Sequence, residues 1–194
     1  GSALEQTLIH EMSDPNIDYA IAGEADFEFA RLVNKLLNKQ DPGDVRNLFY
    51  ANDGSIAFTS PPPTRMDQRF SLESLPHPAR HLFDMEQYFE IGSFHSAQST
   101  SDRVLNVMAS RGCPEVCTFC TTPDMWGAKV RWRNPNDIID EIRYGIETLG
   151  IKEVQFEDDN ITANYRLLME LCDLLEPLNI PWCTPNGTKV NYHM

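Results

Sequence analysis

The chain has 194 residues, 41% of them hydrophobic, which suffices for one large soluble domain or two small ones with a buried core. Against 16 basic residues stand 29 acidic ones, and the formal charge of −13 disfavours a nucleic-acid binder, because neutralising phosphates needs a basic surface. Apolar runs such as "DYAIAG" and "VLNVMA" fall far short of the roughly 18 residues of a membrane-spanning helix. With no signal peptide visible either, a cytoplasmic protein without a membrane segment is expected.

Ala3 to Met12 reads as a helix. "IDYAIAGEADFEFARLVNKLLN" follows as an apolar strand, a Gly23-Glu24 turn and an amphipathic helix that turns Phe27, Ala30, Val33 and Leu37 inward. Residues 1–40 are thus expected to be the end of an α/β domain. The opening Gly1-Ser2 resembles an expression scar, and "VNYHM" ends the chain without a closing helix, so a fragment is expected. From 41 to 100 the prolines of "SPPPTR" and "LPHPARH" break any periodicity and mark a linker with short extended pieces. Within it, "NLFYANDGSIAFTS" predicts a hairpin turning over Asn52-Asp53-Gly54.

Regular alternation begins in 101–194. "RVLNVMAS" has a strand's apolar content and runs into a loop opened by Gly112 and stiffened by Pro114. A helix is then predicted with Asn134 as N-cap, Pro135 at its first position and Asp137 in its first turn. Ile138, Ile142, Ile146 and Leu149 line one face, and Gly150 stops it. "KEVQFEDDN" reads as a strand ending in acids, "YRLLMELCDLLEPL" as a helix and "IPWCTPNG" as a third strand. Strand and helix in this alternation imply parallel βα units, whose active groups collect at the carboxyl ends of the strands. Residues 113–120, 157–160 and 184–187 should therefore meet at one site.

"SRGCPEVCTFC" places Cys113, Cys117 and Cys120 at offsets of zero, four and seven. Three of five cysteines within eight positions is poor disulfide arithmetic and reads as a metal site. Cys172 and Cys183 read as buried, inert thiols. Thiolates suit zinc or an iron–sulfur cluster. Zinc would require a fourth ligand, for which His95 or His81 can be nominated without a recommending spacing. His77 and His81, four apart, have a zinc helix's spacing, but the surrounding prolines oppose a helix there.

The pattern Cys113-x-x-x-Cys117-x-Phe119-Cys120 after a first barrel strand resembles the radical S-adenosylmethionine superfamily. "CTTPDMWGAKVRWRNPNDIIDEI" resembles the subgroup with an N-terminal cobalamin-binding domain, "IDYAIAGEADFEFARLV" the end of that domain, and "SLESLPHPARHLFD" its linker. The resemblance covers nearly the whole chain. It implies an α/β protein made of the end of a Rossmann-like cobalamin-type domain, a linker and the first βα units of a partial barrel. It further implies that Cys113, Cys117 and Cys120 hold three irons of a [4Fe-4S] cluster whose fourth iron binds S-adenosyl-L-methionine. Reductive cleavage of that cofactor yields a 5′-deoxyadenosyl radical, which serves cobalamin-dependent methylation or a related transformation on a small-molecule substrate. The family's cobalt-ligand histidine motif and later barrel strands are missing from this sequence, so activity and cobalamin binding are expected of the full-length protein rather than of the fragment.

By the same resemblance the backbone at Phe119 meets the adenine. "FEDDN" occupies the place of a motif that binds the methionyl ammonium, with Asp158 and Asp159 as the carboxylates concerned. A solvated acidic turn capping the next helix is the competing reading. Arg103, Arg111, Lys129, Arg131 and Arg133 form a basic island that would dock a flavodoxin or ferredoxin-type electron donor, or else an extended segment solvated at every second residue. Met125 and Trp126 are read as packing residues. A cluster- or zinc-binding module with an electron-transfer or structural role stays open as the alternative, as does, more weakly, an RNA-modifying methylthiotransferase-like enzyme. An exposed edge of the half-barrel sheet predicts a homo-oligomer.

Overall fold

The computed structural model describes residues 3–52, 55–59, 70–92, 99–126 and 129–189. The expected turn residues Asp53 and Gly54, "SPPPTR", His95 and the last five residues lie outside them. Two compact units form, one within Gly1–Gln68 with Asp124–Gly127, the other within Arg69–Pro123 and Ala128–Met194.

The first unit contains α1 (Ala3–Glu11), β1 (Tyr19–Ile21), α2 (Asp26–Leu37), β2 (Leu48–Asn52) and β3 (Ser55–Phe58). Its three strands make an antiparallel sheet in the order β1-β2-β3, so the predicted hairpin exists and also pairs with β1, Ala20 opposite Phe49. Successive side chains of a strand face opposite ways. Leu48 accordingly packs with Leu32 and Val45, and Phe49 with Met12 and Ala22. The inward face of α2 differs from expectation: Leu32 is its buried residue, whereas Phe27 and Leu37 are exposed. Glu28 and Lys35 instead tie α2 to residues 41–46, with Lys35 Nζ 2.8 Å from Asp44 Oδ1.

The second unit contains α3 (Met85–Ile91), β4 (Val104–Val107), β5 (Ser110–Arg111), α4 (Thr122–Met125, whose end falls in the first unit), β6 (Arg131–Trp132), α5 (Pro135–Tyr144), β7 (Glu153–Phe156), α6 (Tyr165–Leu175) and β8 (Trp182–Cys183). β4, β7 and β8 form a parallel sheet in that order, as the strand–helix alternation predicts, and β5 pairs with β6 in a separate short antiparallel ribbon. Asn134 caps α5 by accepting from the Asn136 N–H, and Ile138, Ile139 and Ile142 are buried against Leu105, Val107, Val154 and Phe156. Each such side chain contributes about 1.5–3 kcal/mol. One wider turn, Gly145–Leu149, extends the helix before Gly150 ends it at φ +63°.

β7 is buried along its whole length, including Glu153 and Gln155. Glu153 accepts from Thr100 through N–H (2.6 Å) and hydroxyl (2.8 Å), and from Ser99 Oγ at 3.2 Å. Burial alone would raise its carboxyl; hydrogen bonds from Thr100, Gln155 and Ser99 hold it below the ordinary glutamate range.

Candidate functional site

Gly112, at φ +100°, turns the chain out of β5 into a position that a residue with a Cβ rarely adopts. The loop that follows carries Cys113, Cys117 and Cys120, all with free thiols, Cys117 exposed and the other two half-buried. Within it the Cys120 N–H donates to the Cys117 carbonyl at 3.1 Å, and the Thr122 N–H donates to Cys120 Sγ at 3.4 Å. Phe119 and Val116 stand out from the loop at 89% and 81% exposure.

The carboxyl ends of β7 and β8 adjoin this loop. Asp158 is 1% exposed; its Oδ2 accepts from the Ala109 N–H at 2.9 Å, and its Oδ1 accepts from the Ser110 hydroxyl. Burial pushes its carboxyl up to about 6 against these hydrogen bonds, and the neighbouring Asp159 charge adds to the rise. Asp159 is half-buried and accepts from Thr122 Oγ1 at 3.0 Å, two residues beyond Cys120. From the β8 end, Asn186 Nδ2 donates to the Glu157 carbonyl at 3.1 Å, and Lys189 Nζ reaches Glu115 Oε1 at 2.8 Å. The three strand ends expected to meet do so, and the two adjacent acids divide: Asp158 braces the end of β4 from inside, while Asp159 touches the exit of the cysteine loop.

A charged network not anticipated from the sequence lies beneath. Glu141, 1% exposed, accepts from Arg80 Nη2 at 2.6 Å, and its other oxygen is 2.5 Å from Arg133 Nη1. Arg80 also donates to the Asn106 carbonyl (2.9 Å) and Arg133 to that of Met108 (3.1 Å), so both guanidiniums hold the strand end that leads into the cysteine loop. Arg133 continues to Asp137 (2.7 Å), which receives His77 Nε2 at 2.7 Å. The detectable signal was Glu141 itself, three residues after Ile138 and one before Ile142, on the inward stripe of α5.

These pairings redistribute several expected roles. His77 is bonded to Asp137, His81 is exposed, and among the described residues no three His, Cys, Asp or Glu side chains are grouped to hold a single metal ion. A cluster differs from one ion in spreading its cysteine sulfurs over separate irons. Of the basic island, Arg103 is engaged with Glu86 and lies over the Phe89 ring at 4.5 Å, Arg131 lies over Phe70 at 5.5 Å, and Arg133 is in the buried network. Cys172 and Cys183 are half-buried rather than fully enclosed. Burial, then the charge of Asp173, pushes the Cys172 thiol up.

No protein-family model matches the chain. Among curated proteins it is 31% identical to the cytidylyl-2-hydroxyethylphosphonate methyltransferase of Streptomyces wedmorensis, over 92% of this chain and 37% of that protein. It is 27% identical to the anaerobic magnesium-protoporphyrin IX monomethyl ester cyclase of Synechocystis, over 92% of this chain and 33% of that one. The chain thus spans about a third of the length of these relatives. Among solved structures, the cobalamin-dependent S-adenosylmethionine radical enzyme OxsB with aqua-cobalamin bound has a TM-score of 0.65 at 15% identity, over 95% of this chain and 25% of that one. The radical S-adenosylmethionine methyltransferase TsrM from Kitasatospora setae, with cobalamin and a [4Fe-4S] cluster bound, has a TM-score of 0.59 at 17% identity, over 90% and 32%.

Proposed function

We propose, from the premise that this chain is related to the cobalamin-dependent radical S-adenosylmethionine enzymes, that it forms the cluster-bearing part of such an enzyme. Cys113, Cys117 and Cys120 are the ligands to three irons of a [4Fe-4S] cluster, and the fourth iron takes S-adenosyl-L-methionine. The observation that carries this is three free thiols on one loop at the carboxyl end of a parallel sheet, flanked by the ends of the next two strands. The loop suits the group chemically: soft donors, partial exposure, and a backbone N–H already directed at Cys120 Sγ, as cluster sulfurs commonly receive. When bound, the cluster supplies the single electron that cleaves S-adenosyl-L-methionine reductively.

The protein's share is to bind and orient. We assign Asp159 to the cofactor's ammonium and the backbone at Phe119 to its adenine, with Asp158 holding the strand end from which the loop departs. On this reading β4 to β8 begin a barrel across 101–194 and 1–40 is the C-terminal part of a cobalamin-type domain, while the stretch 41–100 expected as a linker divides, its hairpin completing the sheet of the first unit and its residues from 69 onward belonging to the second. The parent's reaction would be cobalamin-dependent methylation or a related transformation, with an electron donor of flavodoxin or ferredoxin type and an open edge of the sheet available for oligomerisation.

Anaerobic reconstitution with iron and sulfide tests the ligand set. The chain is expected to take up about four irons. A Cys113→Ala, Cys117→Ala, Cys120→Ala triple variant should take up none, whereas Cys172→Ala with Cys183→Ala should load normally. Equal loading of the triple variant, or stoichiometric zinc in place of iron, would remove the reading.

A further inference from the structure

Lys189 follows β8 at the end of "TPNGTK" and is held at two points. Its carbonyl accepts from Thr162 Oγ1 at 2.8 Å, and its ammonium pairs with Glu115 at 2.8 Å, the side chains being 52% and 36% exposed. Ion pairs so exposed contribute little to stability. Glu115 lies within the cysteine loop, between Cys113 and Cys117. Glu115, by accepting the hydrogen bond from the ammonium and then through its charge, holds the Lys189 proton more firmly than usual. A cation carried in from beyond β8 thus reaches the cysteine loop between its first two thiols, in a chain of net charge −13.

We infer that Lys189 is a positioning residue whose ammonium, steered by Glu115, sets the electrostatic environment of the three-cysteine seat and eases its one-electron reduction. This rests on the cluster assignment above. Adding an electron to an anionic thiolate-ligated centre costs less next to a positive charge, and the field of a partly exposed ammonium is damped by solvent without being abolished.

An anaerobic redox titration of the reconstituted chain, followed by EPR, gives the test. Lys189→Met should lower the midpoint potential by about 30 mV or more, a threefold or larger change in the reduction equilibrium at 59 mV per tenfold for one electron. Lys189→Arg should restore it, and Glu115→Gln, which frees the ammonium, should move it upward. Shifts of the same sign in Lys189→Met and Glu115→Gln would point to a loosened loop and overturn the inference, as would equal potentials in all variants with full iron content. A wild-type chain that takes up no iron fails earlier, at the cluster assignment itself, so the two failures are separable.

Discussion

Glu141→Ala is expected to destabilise the second unit by about 3–5 kcal/mol, the cost of removing one partner from a buried ionic network. Glu141 lies at its centre: Arg80 and Arg133, 11% and 13% exposed, both direct a guanidinium at its carboxylate. Without it the two cations face each other at low dielectric, and among the described residues only Arg133 of the two retains an acidic partner, Asp137. Arg80 would lose its hold on α5 and keep the Asn106 carbonyl. Urea unfolding followed by circular dichroism measures the loss, with Asp140→Ala as the comparison, since Asp140 is a largely exposed neighbour on the same helix. The comparison variant should stay within about 0.5 kcal/mol of the parent. A cost below 1 kcal/mol for Glu141→Ala would mean that the network is solvated and does not hold the strand end.

The second expected effect is a loss of stability as pH rises from 5 to 7.5. The Asp158 carboxyl, ordinarily at 3.8, is pushed up to about 6 by burial in the folded chain. Between those two values the folded state binds more protons than the unfolded one, so stability falls with rising pH, and the fall is complete once pH passes the folded value. The full difference corresponds to about 3 kcal/mol, of which on the order of 1 kcal/mol lies between pH 5 and 7.5. Asp137 and Glu153 run the other way: burial raises each carboxyl, but Arg133 and His77 lower the first and Thr100, Gln155 and Ser99 the second, so both remain below the usual range. Their stabilisation is gained at acid pH and has levelled off by about pH 6. Asp158→Asn keeps an acceptor for the Ala109 N–H and removes the titration. Subtracting its stability profile from that of the parent should leave a declining curve across this window; parallel profiles would contradict the account.

The parallel sheet and α5 were legible because their signals are local: an Asn134 cap, a Pro135 start, an isoleucine stripe and a Gly150 stop. What α2 packs against was not, since Leu32 is buried by Val45 and Leu48, whose placement depends on a hairpin that pairs with β1. Alternation in "KVRWR" reads equally as a solvated segment or a basic surface. Arg133 is neither, because its partners Glu141 and Met108 come from other elements. Likewise, no local rule separates Asp158 from Asp159. Only the closeness of β4 to β7 turns one toward Ala109 while the other meets Thr122. The cysteine spacing, by contrast, spoke for a shared site without any knowledge of the fold, because three ligands on one loop need no distant partner.

A cluster with one iron open to a sulfonium cofactor is checked by the EPR spectrum of the reduced, reconstituted chain recorded with and without S-adenosyl-L-methionine. A four-iron signal that changes on adding the cofactor is the predicted result. A signal that stays the same, from a fully loaded cluster, would mean that the fourth iron is already closed by the protein and would contradict it.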